Sequence, residues 1–178
     1  MKTNIALIGY MGTGKTAVGQ TLAKKLGMKF IELDRLIEEL AGKKIAEIFR
    51  TQDETAFREL EIEATKKVAG EKHSVIACGG GIVLNKINID RLREGAVMVY
   101  LTASPRTILK RVSGEKGQRP LLAVDNQLKT IEDMLKFRKP YYERSADITI
   151  NTTKLSIDAT VEEIIRKLKE DESFNSKK

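Results

Sequence analysis

Cysteine, aromatic residues and long apolar runs are all scarce in this sequence. A single cysteine among 178 residues excludes an internal disulfide framework and a zinc site built from cysteines alone. The longest apolar runs, near residues 5–7 and 96–101, are much shorter than the roughly 20 residues of a membrane-spanning helix. No signal-peptide pattern precedes the first strand-like run. We therefore expect a cytoplasmic protein without a membrane segment.

Positive charge is in excess, because 32 lysines and arginines stand against 25 aspartates and glutamates and give a net charge of +7. Such an excess is compatible with nucleic acid, anionic lipid or a phosphorylated small molecule, and does not distinguish among them. Only 5% of the residues are aromatic, and no basic run exceeds a few residues. The sequence therefore gives no sign of a stacking or groove-reading surface for nucleic acid.

Short apolar runs alternate with longer amphipathic segments along the chain. Five runs are predicted to be strands: residues 4–8, 30–33, 74–78, 97–101 and 148–150. Their continuous apolarity is typical of strands buried on both faces of a parallel sheet. Eight segments are predicted to be helices: residues 16–26, 35–40, 45–49, 54–68, 87–93, 105–112, 127–143 and 157–169. The alternation predicts one α/β domain, residues 1–172, followed by a solvated tail at residues 173–178.

A phosphate-binding motif lies between the first predicted strand and the first predicted helix. Residues 9–16 read GYMGTGKT and match the pattern G-x-x-x-x-G-K-[ST]. The glycines let successive backbone N–H groups point toward a phosphate at the positive end of the helix. Lys15 is expected to reach the β- and γ-phosphates, and the Thr16 hydroxyl is expected to bind magnesium. The motif alone does not decide the reaction, because motors, switches and kinases share it.

Residues just beyond the other strands are further candidates, because ligands of open α/β sheets bind at the carboxyl ends of the strands. Glu32 and Asp34 follow the second strand and, two apart on an extended chain, would point the same way. One could help to hold magnesium through water and the other could accept a proton; alternatively, Asp34 could cap the next helix. Gly79, Gly80 and Gly81 follow the third strand and indicate close approach of the backbone to a ligand.

Three arginines complete the candidates. Arg119 lies in a segment of glycines and charges, residues 113–122, that suits a flap closing over phosphates, although an ordinary exposed loop would have the same composition. Arg58 and Arg138 lie on predicted helices, where most arginines are solvated. Arginine is nevertheless the usual planar partner of a carboxylate. Cys78 is expected to be a small buried residue and not a nucleophile.

Together these motifs resemble those of the shikimate kinase family over nearly the whole chain. The resemblance rests on six segments in the family's order: residues 9–16, 30–34 (FIELD), 56–61 (AFRELE), 79–81 (GGG), 119–122 (RPLL) and 138–142 (RKPYY). It implies a P-loop NTPase fold of the nucleoside-monophosphate-kinase type, with a five-stranded parallel sheet and a lid at about residues 113–124. It also implies an ATP-dependent kinase that phosphorylates the 3-hydroxyl of shikimate, in the route to aromatic amino acids.

The resemblance further implies roles for individual residues. The phosphates of ATP would bind to the loop and the first helical turn: Gly12, Thr13, Gly14, Lys15, Thr16 and Ala17. Arg111 would lie against the adenine, and Arg119 would touch the transferred phosphate. Shikimate would bind to the side chains and backbone of one group: Asp34, Arg58, Gly79, Gly80, Gly81 and Arg138. Of all these residues, Lys15, Asp34 and Arg119 would be catalytic.

The same resemblance implies Mg²⁺ as a cofactor, held by Thr16 and, through water, by Glu32. The family often has aspartate at the position of Glu32, so the role of this residue is a separate prediction. The implied partners are shikimate and ATP, with no nucleic acid and no membrane, and the implied state is a monomer.

Two other functions fit part of these observations. Another small-molecule P-loop kinase, acting on gluconate or a nucleoside monophosphate, would share the phosphate-binding motif. The pair Arg58 and Arg138 favours a carboxylate over a base and ribose, and so argues against it. A nucleotide-binding regulator or a nucleic-acid-binding ATPase would account for the motif and the positive charge, but not for the candidate carboxylate partners.

Overall fold

Five parallel strands form one sheet at the centre of the computed structural model, which describes residues 1–113 and 126–175. The strands are β1 Asn4–Ile8, β2 Lys29–Glu32, β3 Ser74–Ala77, β4 Ala96–Thr102 and β5 Ile148–Asn151. Their order across the sheet is β2-β3-β1-β4-β5, and every neighbouring pair is parallel. This arrangement confirms the predicted five-stranded parallel α/β fold.

Helices cover both faces of the sheet. Those in the described part of the chain are α1 Lys15–Leu26, α2 Leu33–Ala41, α3 Ile45–Thr51, α4 Glu54–Ala69, α5 Lys86–Gly95, α6 Pro105–Val112, α7 Gln127–Ser145 and α8 Ile157–Glu170. Helix α6 begins as the sequence indicates, with Pro105 in its first turn and the Ser104 side chain accepting a hydrogen bond from the Thr107 N–H. None of these helices is long and apolar enough to cross a bilayer.

The central strand is buried on both of its faces. Ile5 and Leu7 of β1 pack in a core with α1 and α8, whereas Ala6 and Ile8 pack in a second core with α2, α4 and α5. Strand β5 differs from the prediction, because burial alternates along it and its polar residues are exposed on one face. The two cores therefore fix the position of the central strands, and with them the position of the residues that follow their carboxyl ends.

Strand order creates one crevice at the carboxyl edge of the sheet. From β1 the chain crosses through α1 to β2 on one side, whereas from β3 it crosses through α5 to β4 on the other side. Ligands of open α/β sheets bind where the connections diverge in this way. The phosphate-binding motif follows β1 and the three glycines follow the adjacent β3. The topology therefore brings these two motifs to one place.

The start of α2 corrects one prediction about the site. Glu32 is the N-cap residue of α2 and Asp34 lies in its first turn. The prediction that both carboxylates lie on one extended segment is therefore wrong, because the chain turns into a helix at Leu33. The alternative prediction that Asp34 caps this helix is also wrong, since Glu32 occupies that position.

The carboxyl-terminal segment corrects a second prediction. The Lys2 N–H donates to the Ser173 carbonyl at 2.7 Å, and the Asn175 N–H donates to the Lys2 carbonyl at 2.9 Å. The Phe174 ring is half-buried against the core that contains α1 and α8. A solvated tail beginning at residue 173 is thus wrong for residues 173–175, because they pair with Lys2, just before β1. Residues 176–178 lie outside the described residues.

We expect replacement of Phe174 by alanine to lower the free energy of unfolding by about 1–2 kcal/mol, because a half-buried aromatic ring loses its apolar contacts. Urea unfolding measures this change. Phe137→Ala is the matched control, since the Phe137 ring is 58% exposed. An equal loss in the two variants would contradict the packing of Phe174 on the core.

Candidate active site

The phosphate-binding motif forms a loop whose shape depends on glycine. Gly12 and Gly14 have φ angles of +73° and +100°, in the left-handed region that other residues rarely adopt. A Cβ atom at Gly9 would lie 2.3 Å from the Leu101 carbonyl oxygen, so the loop lies directly against the end of β4. Gly14 is the N-cap residue of α1. The loop therefore presents its backbone N–H groups at the amino terminus of a helix, which attracts anions.

Lys15 and Thr16 extend from this loop toward different partners. The Lys15 ammonium donates to the Gly9 carbonyl at 2.7 Å and to the Tyr10 carbonyl at 2.9 Å. Lys15 therefore lies over the loop that it follows. The Thr16 hydroxyl donates to the Glu32 carboxylate at 2.7 Å. This contact joins the first helical turn of α1 to the end of β2.

Arg111 fixes the loop from the other side. Its guanidinium donates to the Gly12 carbonyl at 3.1 Å and to the Thr152 carbonyl at 2.8 Å. The Thr152 hydroxyl in turn donates to the Thr13 carbonyl at 3.1 Å. Arg111 was predicted from the family resemblance alone, whereas Thr152 was not predicted, because no motif marks the residue after β5. Together they connect α6, the phosphate loop and the end of β5.

Four side chains converge on Gly79, Gly80 and Gly81, which we call the glycine triplet. A Cβ atom at Gly79 would lie 2.8 Å from the Asp34 carboxylate and 3.5 Å from the Glu61 carboxylate. A Cβ atom at Gly81 would lie 2.8 Å from the Arg58 guanidinium. At Gly80 a Cβ would lie 3.7 Å from the Arg138 guanidinium and 3.6 Å from the Gly9 carbonyl. The absence of side chains in the triplet thus lets these groups approach one another across the backbone. The structure brings Asp34, Arg58 and Arg138 together beside the phosphate loop.

Arg58 is held in place by two carboxylates on its own helix. Its guanidinium contacts Glu61 at 3.1 Å and Glu54 at 3.0 Å. The carbon of the guanidinium also lies 5.2 Å from the centre of the Phe57 ring. Glu61 and Glu54 were not predicted, although their spacing from Arg58, three and four residues on a helix, was a usable signal. The partners fix the direction in which Arg58 faces the triplet.

Glu61 is the more deeply buried member of the pair, with 1% of its side chain exposed against 25% for Arg58. Burial raises the pKa of the Glu61 carboxyl above its ordinary value, and the nearby Arg58 guanidinium opposes this shift. For Arg58, burial acts to lower the pKa, but attraction to Glu61 and Glu54 raises it overall. At Arg58 the attraction to the carboxylates has the larger effect on the pKa, whereas at Glu61 burial has the larger effect. The two residues differ because the Arg58 side chain is more exposed and keeps more of its hydration.

Arg138 is a buried cation of a different kind. Only 7% of the residue is exposed, and its guanidinium lies 5.7 Å from the centre of the Tyr10 ring. Within residues 1–113 and 126–175, no carboxylate lies at ion-pair distance from it, and its Nε has no hydrogen-bond partner. A buried charge without an opposite charge is unfavourable. An anionic ligand beside Gly80 would provide that charge.

A divalent cation could bind beside the phosphate loop. No cluster of three His, Cys, Asp or Glu side chains in the part of the chain that the structure covers could hold a metal alone. Mg²⁺ usually takes one or two protein oxygens and completes its shell with substrate phosphates and water. The Thr16 hydroxyl and the Glu32 carboxylate, 2.7 Å apart, are oxygens of this kind.

Two further predictions concern residues near the site. Cys78 is buried, and burial raises the pKa of its thiol to about 12, as expected for a packing residue and not for a nucleophile. Arg119 and residues 114–124 of the predicted lid lie outside the described residues. Their roles remain predictions from the sequence.

Comparison with known proteins decides the family. The family model for shikimate kinase matches residues 11–169. The chain belongs to the shikimate kinase family. The shikimate kinase of Caldanaerobacter subterraneus is 47% identical over 163 residues, which cover 92% of this chain and 94% of the relative. The shikimate kinase of Thermus thermophilus is 41% identical, over 93% of this chain and 90% of the relative.

Solved structures of shikimate kinases agree with this fold. The shikimate kinase from Acinetobacter baumannii in complex with shikimate aligns with a TM-score of 0.91 at 34% identity, over 97% of this chain and 96% of that chain. The enzyme from Aquifex aeolicus aligns with a TM-score of 0.79 at 28% identity, over 93% and 96%. The predicted P-loop kinase fold and the predicted class of ATP-dependent kinase are confirmed. The alternative of a nucleotide-binding regulator receives no support.

We expect Glu61→Gln to change how stability depends on pH. Because the pKa of Glu61 is raised in the folded protein, the folded state binds more protons than the unfolded state in the range just above pH 4.5. Glu61 therefore stabilises the fold less as pH rises through its folded-state pKa. The free energy of unfolding of Glu61→Gln minus that of the natural protein should increase across this range and then level off. A difference that is constant with pH would contradict the raised pKa.

Proposed function

We propose that this enzyme transfers the γ-phosphoryl group of ATP to the 3-hydroxyl of shikimate, giving shikimate 3-phosphate and ADP. The observation that carries the proposal is the convergence of Asp34, Arg58 and Arg138 on the glycine triplet, next to the phosphate loop. Shikimate is an anion with neighbouring hydroxyl groups. Its carboxylate matches the two arginines, and its hydroxyls match the exposed carboxylate of Asp34. Glu61, the other carboxylate near Gly79, is buried and paired with Arg58.

The two arginines would bind the substrate carboxylate from adjacent positions of the triplet. Arg58 faces Gly81 and Arg138 faces Gly80, so one carboxylate near the triplet would reach both guanidinium groups. Planar guanidinium groups pair with carboxylates through two parallel hydrogen bonds. The buried position of Arg138 supports this role, because no carboxylate among the described residues lies at ion-pair distance from it and an incoming anion would provide one.

Asp34 would orient the acceptor hydroxyl and accept its proton. The residue as a whole remains open to solvent, while its carboxylate lies beside Gly79 at the end of β3. It is thus accessible to a substrate that is bound by its carboxylate farther along the triplet. Phosphoryl transfer depends mainly on positioning and on neutralising charge, and a carboxylate that holds the attacking oxygen provides the positioning.

The phosphates of ATP would bind in the loop, at Gly12, Thr13, Gly14 and the first turn of α1 through Ala17. Lys15 now contacts two carbonyls of the loop. When ATP binds, it would contact the β- and γ-phosphates instead, because these phosphates would lie in the same loop. Arg111 would lie against the adenine while it holds the Gly12 and Thr152 carbonyls.

Mg²⁺ would be held by the Thr16 hydroxyl and, through water, by Glu32. When bound, the ion would neutralise negative charge on the β- and γ-phosphates. The Thr16 hydroxyl already donates a hydrogen bond to Glu32, so the lone pairs of its oxygen are available for a cation. Arg119 is proposed from its sequence motif to contact the transferred phosphate. A monomeric state and a cytoplasmic location remain predictions from the sequence.

A coupled assay of ADP release with a panel of acceptors tests this function. We expect turnover of Mg-ATP to increase with shikimate and to stay at the background rate with gluconate, nucleoside monophosphates or buffer. Stimulation by a nucleoside monophosphate and not by shikimate would favour the alternative of a different small-molecule kinase. No stimulation by any acceptor would refute the proposed activity.

We expect Asp34→Asn to lower kcat by about 10²–10⁴-fold, the usual range for loss of a group that accepts a proton in the reaction. The amide keeps the size of the side chain, so binding of shikimate should change much less. Steady-state kinetics with both substrates measures this split. Glu39→Gln on the exposed side of the same helix is the control. Near-normal turnover of Asp34→Asn would remove Asp34 from the role of base.

Alanine substitutions in the glycine triplet should separate chemistry from binding. Gly79→Ala would displace the Asp34 carboxylate and should mainly lower kcat, whereas Gly81→Ala would displace the Arg58 guanidinium and should mainly raise the KM for shikimate. The nearest atoms to a new Cβ are 2.8 Å away in both cases. If both variants changed the same kinetic constant to the same extent, the separate placement of the two groups would be wrong.

A further inference from the structure

We propose that Tyr142 is a positioning residue that orients the Gly80–Gly81 peptide toward the substrate carboxylate. This inference rests on the proposed function, because it assigns a determinant of binding within the same site. Tyr142 lies near the end of α7, in the segment 138–142 that carries part of the family resemblance, but the sequence predicted no role for it.

Tyr142 is fully buried, and its hydroxyl donates to the Gly80 carbonyl at 2.5 Å. Its ring stacks on that of Tyr100 in β4, with centroids 4.8 Å apart and planes inclined by 10°. Burial raises the pKa of the Tyr142 phenol, so the hydroxyl keeps its proton and remains a donor. The stacked ring fixes the position of this donor relative to the sheet.

The hydrogen bond determines where the next N–H points. In a trans peptide the C=O and the following N–H point in opposite directions, and the described residues contain no cis peptide bond. Because Tyr142 holds the Gly80 carbonyl on its side, the Gly81 N–H points away from Tyr142. A peptide between two glycines would otherwise rotate easily. Among the residues that the structure describes, none accepts a hydrogen bond from the Gly81 N–H.

Tyr142 also sets the distance between the two parts of the carboxylate site. Arg138 and Tyr142 are four residues apart on α7 and therefore lie on one face of the helix. Through its bond to Gly80, Tyr142 joins the helix that carries Arg138 to the loop that carries the triplet. The Arg138 guanidinium and the Gly81 N–H would then be presented to one carboxylate in a fixed arrangement.

The test compares Tyr142→Phe with Tyr100→Phe, which removes a hydroxyl from the other ring of the same stacked pair. The acceptors are shikimate and an analogue in which a hydroxymethyl group replaces the carboxylate. For Tyr142→Phe we expect the KM for shikimate to rise about 10–150-fold, the effect of losing one well-oriented hydrogen bond to a charged group. We expect kcat and the KM for ATP to stay unchanged. Tyr100→Phe should leave all three constants unchanged.

The analogue distinguishes positioning from a general loss of structure. Tyr142→Phe and the natural protein should have equal kcat/KM values for the uncharged analogue, since the oriented N–H then has no carboxylate to bind. An equal loss with shikimate and the analogue, or an unchanged KM for shikimate, would overturn the proposal. If the natural protein did not phosphorylate shikimate at all, the proposed function would fail first, which is a different result.

A measurement on the natural protein covers the case in which Tyr142→Phe does not fold. The chain has 13 glycines, so labelling glycine with ¹⁵N gives a simple NMR spectrum in which the Gly81 amide can be assigned. We expect shikimate to move the Gly81 amide proton downfield, and the uncharged analogue to leave it nearly in place. A Gly81 signal that does not distinguish the two compounds would overturn the proposal.

Discussion

Three adjacent residues without side chains at the end of β3 determine how the rest of the site can be arranged. Side chains from three different helices approach the glycine triplet closely. A Cβ at Gly79 would displace the Asp34 carboxylate, and a Cβ at Gly81 would displace the Arg58 guanidinium. The strand order sets this triplet beside the phosphate loop at the crevice of the sheet. Both substrates of a kinase would therefore meet there, with the acidic group and the cations already in place.

The charges around the triplet are unequal in a way that favours an anionic ligand. Arg58 is paired with Glu61 and Glu54, and this pairing fixes the direction of its guanidinium. Arg138 is buried against the Tyr10 ring, with no carboxylate at ion-pair distance among the described residues. The folded protein thus carries an incompletely compensated positive charge, which binding of a carboxylate would relieve. A preference for an anionic ligand follows from this arrangement.

The sequence predicted the fold, and it named the residues that the structure brings together at the triplet. The signals for the fold and for the phosphate loop are local. The phosphate loop is a contiguous motif, and the continuous apolarity of β1 and β4 indicated a buried parallel sheet. What it missed depends on contacts between distant segments, such as the pairing of Phe174 with Lys2, the bond from Thr152 to the loop and the bond from Tyr142 to Gly80. The error at Glu32 and Asp34 arose because the helix begins two residues earlier than the polar pattern indicated.

The most direct test of this account is a crystal structure of the enzyme with shikimate and an unreactive ATP analogue. The account predicts that the shikimate carboxylate lies within hydrogen-bond distance, about 3 Å, of both Arg58 and Arg138. The 3-hydroxyl should lie between the Asp34 carboxylate and the terminal phosphate. A carboxylate bound elsewhere, or an Asp34 side chain turned away from the hydroxyl, would contradict it.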